Sequence, residues 1–328
     1  MNILTKNKKL FEKELKLVDK KILSLGNNRP DLIKMLLQHI ISAGGKRLRP
    51  IIVILTAKML GGKGSKIVNM ACCVELLHTA TLFHDDVVDG SKLRRGRKTA
   101  NELWGNSASV LVGDFLLAEA FKIMSDCESL EIIEILSRTS SIITEGEIKQ
   151  LMYKADITTS LEEYINIITS KTAELFSACA SVGAVIANMD KKTKINSANF
   201  GRNLGIAFQI TDDNLDYFAD ENNWGKNLGD DFREGKATLP AIYTYSKIAD
   251  KNYKKHLENL FLIDEENRNQ KEFKEFLGNM KKYDAYEFSR NFAVEYAENA
   301  RKSLAKMPEN KYKKMLLEII NYSVERAV

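Results

Sequence analysis

Apolar residues recur at helical spacing along nearly all of this chain, and the period-two alternation that marks a strand is almost absent. Over residues 8–25, Leu10, Phe11, Leu15, Val18, Ile22 and Leu25 fall on one stripe, and Gly26, Asn27 and Asn28 end it. Pro30 suits the first turn of a second helix, which stops before Gly44 and Gly45. A third starts near Pro50 and ends at Gly61 and Gly62. From Lys66 to Val88 the chain is apolar on almost every side, the pattern of a central helix. The same periodicity predicts helices near 101–126, 128–153, 161–188, 192–219, 237–248, 252–263, 269–282, 285–305 and 310–327. The longest expected loop is 220–236, DENNWGKNLGDDFREGK, rich in Gly, Asn and Asp. The pattern shows no internal repeat and no linker composition, so the expectation is one all-α domain over 1–328, of about twelve helices.

Composition narrows this picture. Only 4 Pro and 18 Gly stand in 328 residues, which favours long helices. A chain 44% hydrophobic and 28% charged is globular rather than disordered. The formal charge of +5 is mild for this length, so it gives no argument for nucleic acid, and any anion binding must come from local clusters. The charged start MNILTKNKKLFEKELKL has no signal-peptide core, and no run of about 18 apolar residues predicts a transmembrane segment. Cys72, Cys73, Cys127 and Cys179 sit in apolar helical segments without metal-site spacing, which suggests buried free thiols in a reducing cytoplasm.

Charge enters the apolar pattern abruptly at HDDVVDGSKLRRG, residues 84–96. Asp85 and Asp89 are four residues apart and project from one side of a helix, with His78 two turns back on roughly the same stripe. A solvated acidic face would carry polar residues for several turns, and this helix carries few before His84. Carboxylates in apolar surroundings need partners, because desolvated charge is costly. Mg2+ takes oxygen ligands, keeps several waters and is commonly held by one or two carboxylates plus substrate phosphates. Arg94 and Arg95 follow within two turns, and arginine forks match phosphate oxygens. A second cluster, FQITDDNLDYF, repeats the design with Asp212 and Asp216 four apart and Asp213 beside them. Two facing clusters would form a metal cage with room for a diphosphate.

Three basic elements are weaker signals. GGKRLRP, residues 44–50, combines flexible glycines, a helix start and Lys46, Arg47 and Arg49; it reads equally as an anion site or a solvated turn. Lys171, in an apolar-leaning helix, reads alone as a snorkelling side chain, and Lys226 and Lys236 as ordinary loop charge.

Taken together these elements resemble the all-trans polyprenyl diphosphate synthase family, in the same order and over nearly the whole chain. GGKRLRP, ELLHTATLFHDDVVDGSKLRRGRKTAN, GDFLLAEAF, SKTAELF, FQITDDNLDYF and GKNLGDDFREGKATLP each look like a block of that family. The resemblance implies a bundle of antiparallel helices around a deep central cavity. It implies that Lys46, Arg49, His78 and Arg95 hold isopentenyl diphosphate. Asp85 and Asp89, supported by Asp86, would bind two Mg2+, and Asp212, supported by Asp213 and Asp216, a third. Arg94, Lys171, Lys226 and Lys236 would grip the allylic diphosphate, with Thr172 and Gln209 along the reacting allyl carbons. The partner implied is a second copy, or else a small second subunit.

In that family, bulky aromatics just before the first aspartate stop the product early. Here Ala80 and Thr81 stand there, and the first motif lacks the two-residue insertion of many bacterial short-chain synthases. Both features favour a long product, about C30 to C40, over geranylgeranyl or farnesyl diphosphate. A class I terpene cyclase would not need GGKRLRP, and a tunnel-shaping partner subunit would have lost its acidic clusters.

Overall fold

The structure, a computed structural model, describes residues 8–42, 44–94, 96–219, 228–263 and 268–325. A 3-10 turn at Lys8–Leu10 leads into α1 (Glu12–Ser24), α2 (Asp31–Ser42), α3 (Leu48–Met59) and α4 (Lys66–Val88). Two short strands, β1 (Leu93–Arg94) and β2 (Arg97–Lys98), precede α5 (Ala100–Trp104), α6 (Asn106–Ser125) and α7 (Leu130–Met152). Then come α8 (Leu161–Ile168), a π-helical turn at Thr169–Ala173, α9 (Glu174–Ile186) and α10 (Lys191–Phe218). The rest is α11 (Asp230–Glu234), α12 (Leu239–Lys247), α13 (Lys251–Leu262), α14 (Gln270–Lys282), α15 (Ala285–Leu304) and α16 (Lys311–Glu325).

Helices stand at each predicted stretch, with four differences. The helix expected over 101–126 breaks into α5 and α6 at Gly105, whose φ of 83° and ψ of 160° no helix accommodates. The helix expected over 161–188 contains the π turn, closed by a bond from the Glu174 N–H to the Thr169 carbonyl. Residues 93–98 form an antiparallel ribbon pairing Leu93 with Lys98 and Arg94 with Arg97. Of the loop expected over 220–236, residues 220–227 lie outside the described residues and 230–234 form α11.

The fold divides into two compact units. The first comprises Met1–Ser140, Leu175–Gly201 and Arg301–Ile319. Here α4 packs against α1, α3 and α6. It is buried on nearly all sides from Met70 to Leu77, as an all-round apolar pattern requires, and opens from His78 onward. It is the one helix among the described residues long and apolar enough to cross a membrane, but most of it is core. The second unit comprises Ser141–Glu174, Arg202–Ala300 and Ile320–Val328. Its core is aromatic: Phe232 of α11 meets Phe261, Phe273 and Phe276 with ring centroids 5.5 to 5.9 Å apart.

All four cysteines are free and buried. Burial pushes the Cys72 and Cys179 thiols up to about 12, which suppresses the reactive thiolate. The folded protein should therefore give no rapid colour with an aromatic disulfide reagent, and four equivalents after denaturation.

Candidate active site

In the first unit the acids sit where α4 ends. Asp89 caps the helix, its N–H bonded to the Asp85 carbonyl at 2.8 Å, so the two side chains stand on consecutive turns. Both are half-buried. Asp86 turns inward and is 5% exposed. One of its oxygens accepts from Arg94 Nε at 2.9 Å and Nη2 at 2.7 Å, so Asp86 holds the β1 arginine in place. Arg95 lies outside the described residues.

The basic loop divides its charges. Arg47 caps α3 in the left-handed region, φ 49°, and turns inward to an ion pair with the buried Glu75 of α4. It is therefore a structural residue. Arg49 Nη1 lies 3.0 Å from His78 Nε2, and its guanidinium sits 4.8 Å from the Phe176 ring centroid. Arginine can only donate, so His78 accepts at Nε2 and carries its proton on Nδ1. Lys46 is exposed on the same loop. Ala80 is buried, and Thr81, half-buried, bonds its hydroxyl back to the His78 carbonyl at 2.8 Å.

In the second unit the acids of α10 divide their tasks. Asp212 is half-buried. Asp213 is buried, accepting from the Tyr164 hydroxyl at 2.6 Å and from Gln209 Nε2 at 2.7 Å. The other end of the Gln209 amide accepts from the Thr172 hydroxyl at 2.8 Å. Asp216 is also buried, and its carboxylate accepts from the Asp231 N–H at 3.0 Å. Lys171, on the π turn, bonds to Glu147 at 2.7 Å and Gln150 at 2.5 Å. Lys236 pairs with Glu234, and Lys226 lies outside the described residues. The π turn packs against α7 at Gly146, where a Cβ would stand 2.8 Å from the Lys171 nitrogen. Lys171, Thr172, Gln209, Asp213, Asp231 and Lys236 line one cavity of about 150 Å3 within this unit.

Tyr164, Glu147, Gln150 and Asp231 are site residues that the sequence reading missed. The one available signal was the pair Glu147 and Gln150, polar groups one turn apart on an amphipathic helix. Tyr164 carried none, because an aromatic on an apolar stripe reads as core.

Burial, then the nearby Asp231 carboxylate, pushes Asp213 up to about 8, against the pull of Tyr164 and Gln209. The folded, metal-free chain thus binds a proton that the unfolded chain releases near 3.8. That contribution to stability is complete below pH 3.8 and is lost as pH rises through about 8. Melting curves of the metal-free protein across that window should show a downward trend that Asp213→Asn flattens.

Among the described residues no three His, Cys, Asp or Glu side chains form a ready-made metal cluster. What the chain offers is carboxylate oxygens in pairs, with basic side chains nearby. That donor set fits a hard divalent cation that keeps waters and takes its remaining oxygens from a phosphorylated substrate.

Over residues 30–280 the sequence matches the polyprenyl synthetase family. The octaprenyl diphosphate synthase of Haemophilus influenzae is 39% identical over 321 residues, 97% of this chain and 95% of that protein. The chain belongs to the polyprenyl synthetase family. As a polyprenyl synthetase it is a prenyltransferase with the all-α isoprenoid synthase fold. A polyprenyl synthase from Caulobacter crescentus CB15, solved with calcium and isoprenyl diphosphate, superposes with a TM-score of 0.90 at 39% identity, covering 98% of this chain and 97% of that one. A geranylgeranyl pyrophosphate synthetase from Pyrococcus horikoshii Ot3 gives 0.88 at 32% identity, covering 98% and 99%. Polyprenyl synthetases of both longer and shorter product are thus similar to this chain.

Proposed function

We propose that the chain condenses isopentenyl diphosphate with an allylic diphosphate, head to tail, into a long trans-polyprenyl diphosphate of about C30 to C40. The observation that carries this reading is the pair of half-buried carboxylates on consecutive turns at the end of an otherwise buried helix. The similarity to an octaprenyl diphosphate synthase supports the long product, as do the small residues Ala80 and Thr81.

Asp85 and Asp89 would hold two Mg2+, with Asp86 positioning Arg94, and Asp212 a third, with Asp213, Asp216 and Asp231 around it. When bound, the ions supply positive charge to the departing diphosphate. Arg94, Lys171, Lys226 and Lys236 bind the allylic diphosphate oxygens. Lys46, Arg49, His78 and Arg95 hold isopentenyl diphosphate. The allylic C–O bond breaks, and the diphosphate leaves with the electron pair. Thr172 donates a hydrogen bond to the Gln209 carbonyl oxygen, which leaves the hydroxyl lone pairs available to the allylic cation. The isopentenyl double bond supplies the electron pair of the new C–C bond. Loss of a proton to the released diphosphate then restores a double bond.

The whole chain acts as one catalytic domain; a solved relative covered over 97% of both chains supports this. A homodimer is the partner the surface suits: α6 exposes Leu111 and Phe121 on one side, large apolar groups that a second copy would cover. Four buried free thiols suit a reducing cytoplasm. The test is incubation of the purified chain with Mg2+, farnesyl diphosphate and isopentenyl diphosphate, then sizing of the products. Chain-length products of about C30 to C40 support the reading, products ending at C20 replace it with the shorter-chain one, and no condensation rejects both.

A further inference from the structure

We propose that Arg268 is a positioning residue for the allylic-diphosphate end of the reaction, because its buried guanidinium and the Asp216 carboxylate clamp the two ends of α11 and so fix Asp231 and Lys236. This rests on the reading of Lys236 given above.

Short helices leave most of their backbone groups unsatisfied and are marginal alone, so a five-residue helix needs outside partners at both ends. At its start, Asp216 accepts twice: its carbonyl from the Gly229 N–H at 2.8 Å and its carboxylate from the Asp231 N–H at 3.0 Å. At its end, Arg268 donates to the Phe232 and Arg233 carbonyls. The same guanidinium reaches the last turn of α13, donating to Leu260 at 3.0 Å and Phe261 at 2.6 Å. An anion at the start and a cation at the end both agree with the helix dipole.

Arg268 is 8% exposed, and arginine alone offers a planar fork of five donors suited to four carbonyls. Gly235 confirms the closeness of the fit. Its φ is +73°, and a Cβ there would lie 2.6 Å from Arg268 Nη2. Phe232, between the two ends, is buried in the aromatic core. The Lys236 N–H closes back on the Asp231 carbonyl at 2.8 Å, so Lys236 moves with the helix. Both Asp231 and Lys236 line the cavity that holds Thr172 and Gln209.

Arg268→Lys keeps the charge and cannot span the four carbonyls. In steady-state assays of the full chain with farnesyl diphosphate, isopentenyl diphosphate and Mg2+, it should raise the KM for farnesyl diphosphate about 10-fold and leave that for isopentenyl diphosphate within about twofold. Amide exchange across 229–236 should rise in the same variant. Gly235→Ala presses on the clamp from the other side and should give the same pattern, which keeps the idea testable if Arg268→Lys does not fold. A fall in kcat with both KM values unchanged marks a merely structural arginine and overturns the proposal, as does unaltered exchange. Lys236→Ala is the control. If it raises the farnesyl diphosphate KM and Arg268→Lys does not, the clamp fails; if Lys236→Ala is silent, the reading of Lys236 fails and takes the clamp's catalytic role with it.

Discussion

Asp85→Ala should lower the condensation rate by about 10³-fold or more while leaving the far-ultraviolet circular dichroism unchanged. The reasoning is local. Asp85 lies in the last turn of α4, half-buried, and is followed one turn later by the capping Asp89. Two carboxylates at that spacing repel each other, and an alanine has high helix propensity, so the substitution relieves the helix rather than damaging it. On the proposed reading, what the variant loses is an oxygen ligand for the cation that would stabilise the leaving diphosphate. Loss of activity with intact or raised stability is the signature of a group placed for chemistry. Comparable rates in the variant and the parent would remove the metal role.

The second large effect is on the product rather than the rate. Ala80→Tyr should shorten the product to about C20 or less, at a packing cost of about 1–3 kcal/mol. Ala80 stands five residues before Asp85 and is 2% exposed, so a phenol ring there must displace its surroundings along α4. Sizing the products by reversed-phase chromatography, beside a thermal melt, separates a blocked tail from a damaged fold. An unchanged product from a folded variant would discard the floor argument.

The helices were legible because burial imposes its own periodicity. The all-round apolar stretch of α4 could only be interior, although the helix begins to open at His78, six residues before its sequence changes character at His84. The acids were legible for the same reason, as charge where the pattern demanded none. The π turn was not, since Thr169–Ala173 has the composition of an ordinary helix and its geometry is tied to the close approach of Gly146 from a distant segment. Nor could the sequence divide the second cluster into one half-buried Asp212 and two buried partners, because that division depends on Tyr164 and Asp231, 48 residues before and 19 after it. Arg47 marks a further limit: GGKRLRP reads equally as an anion site or a solvated turn, and only Glu75 on the neighbouring helix reveals that one of its three basic residues faces inward.

The central claim is that these carboxylates act through a divalent cation shared with a diphosphate. Calorimetric titration of the full chain with a thiolo analogue of farnesyl diphosphate, which binds without ionising, tests it directly. The account predicts tight binding with Mg2+ present, much weaker binding in chelator, and loss of the difference in Asp85→Ala. Equal affinity with and without Mg2+ in the parent protein would contradict it.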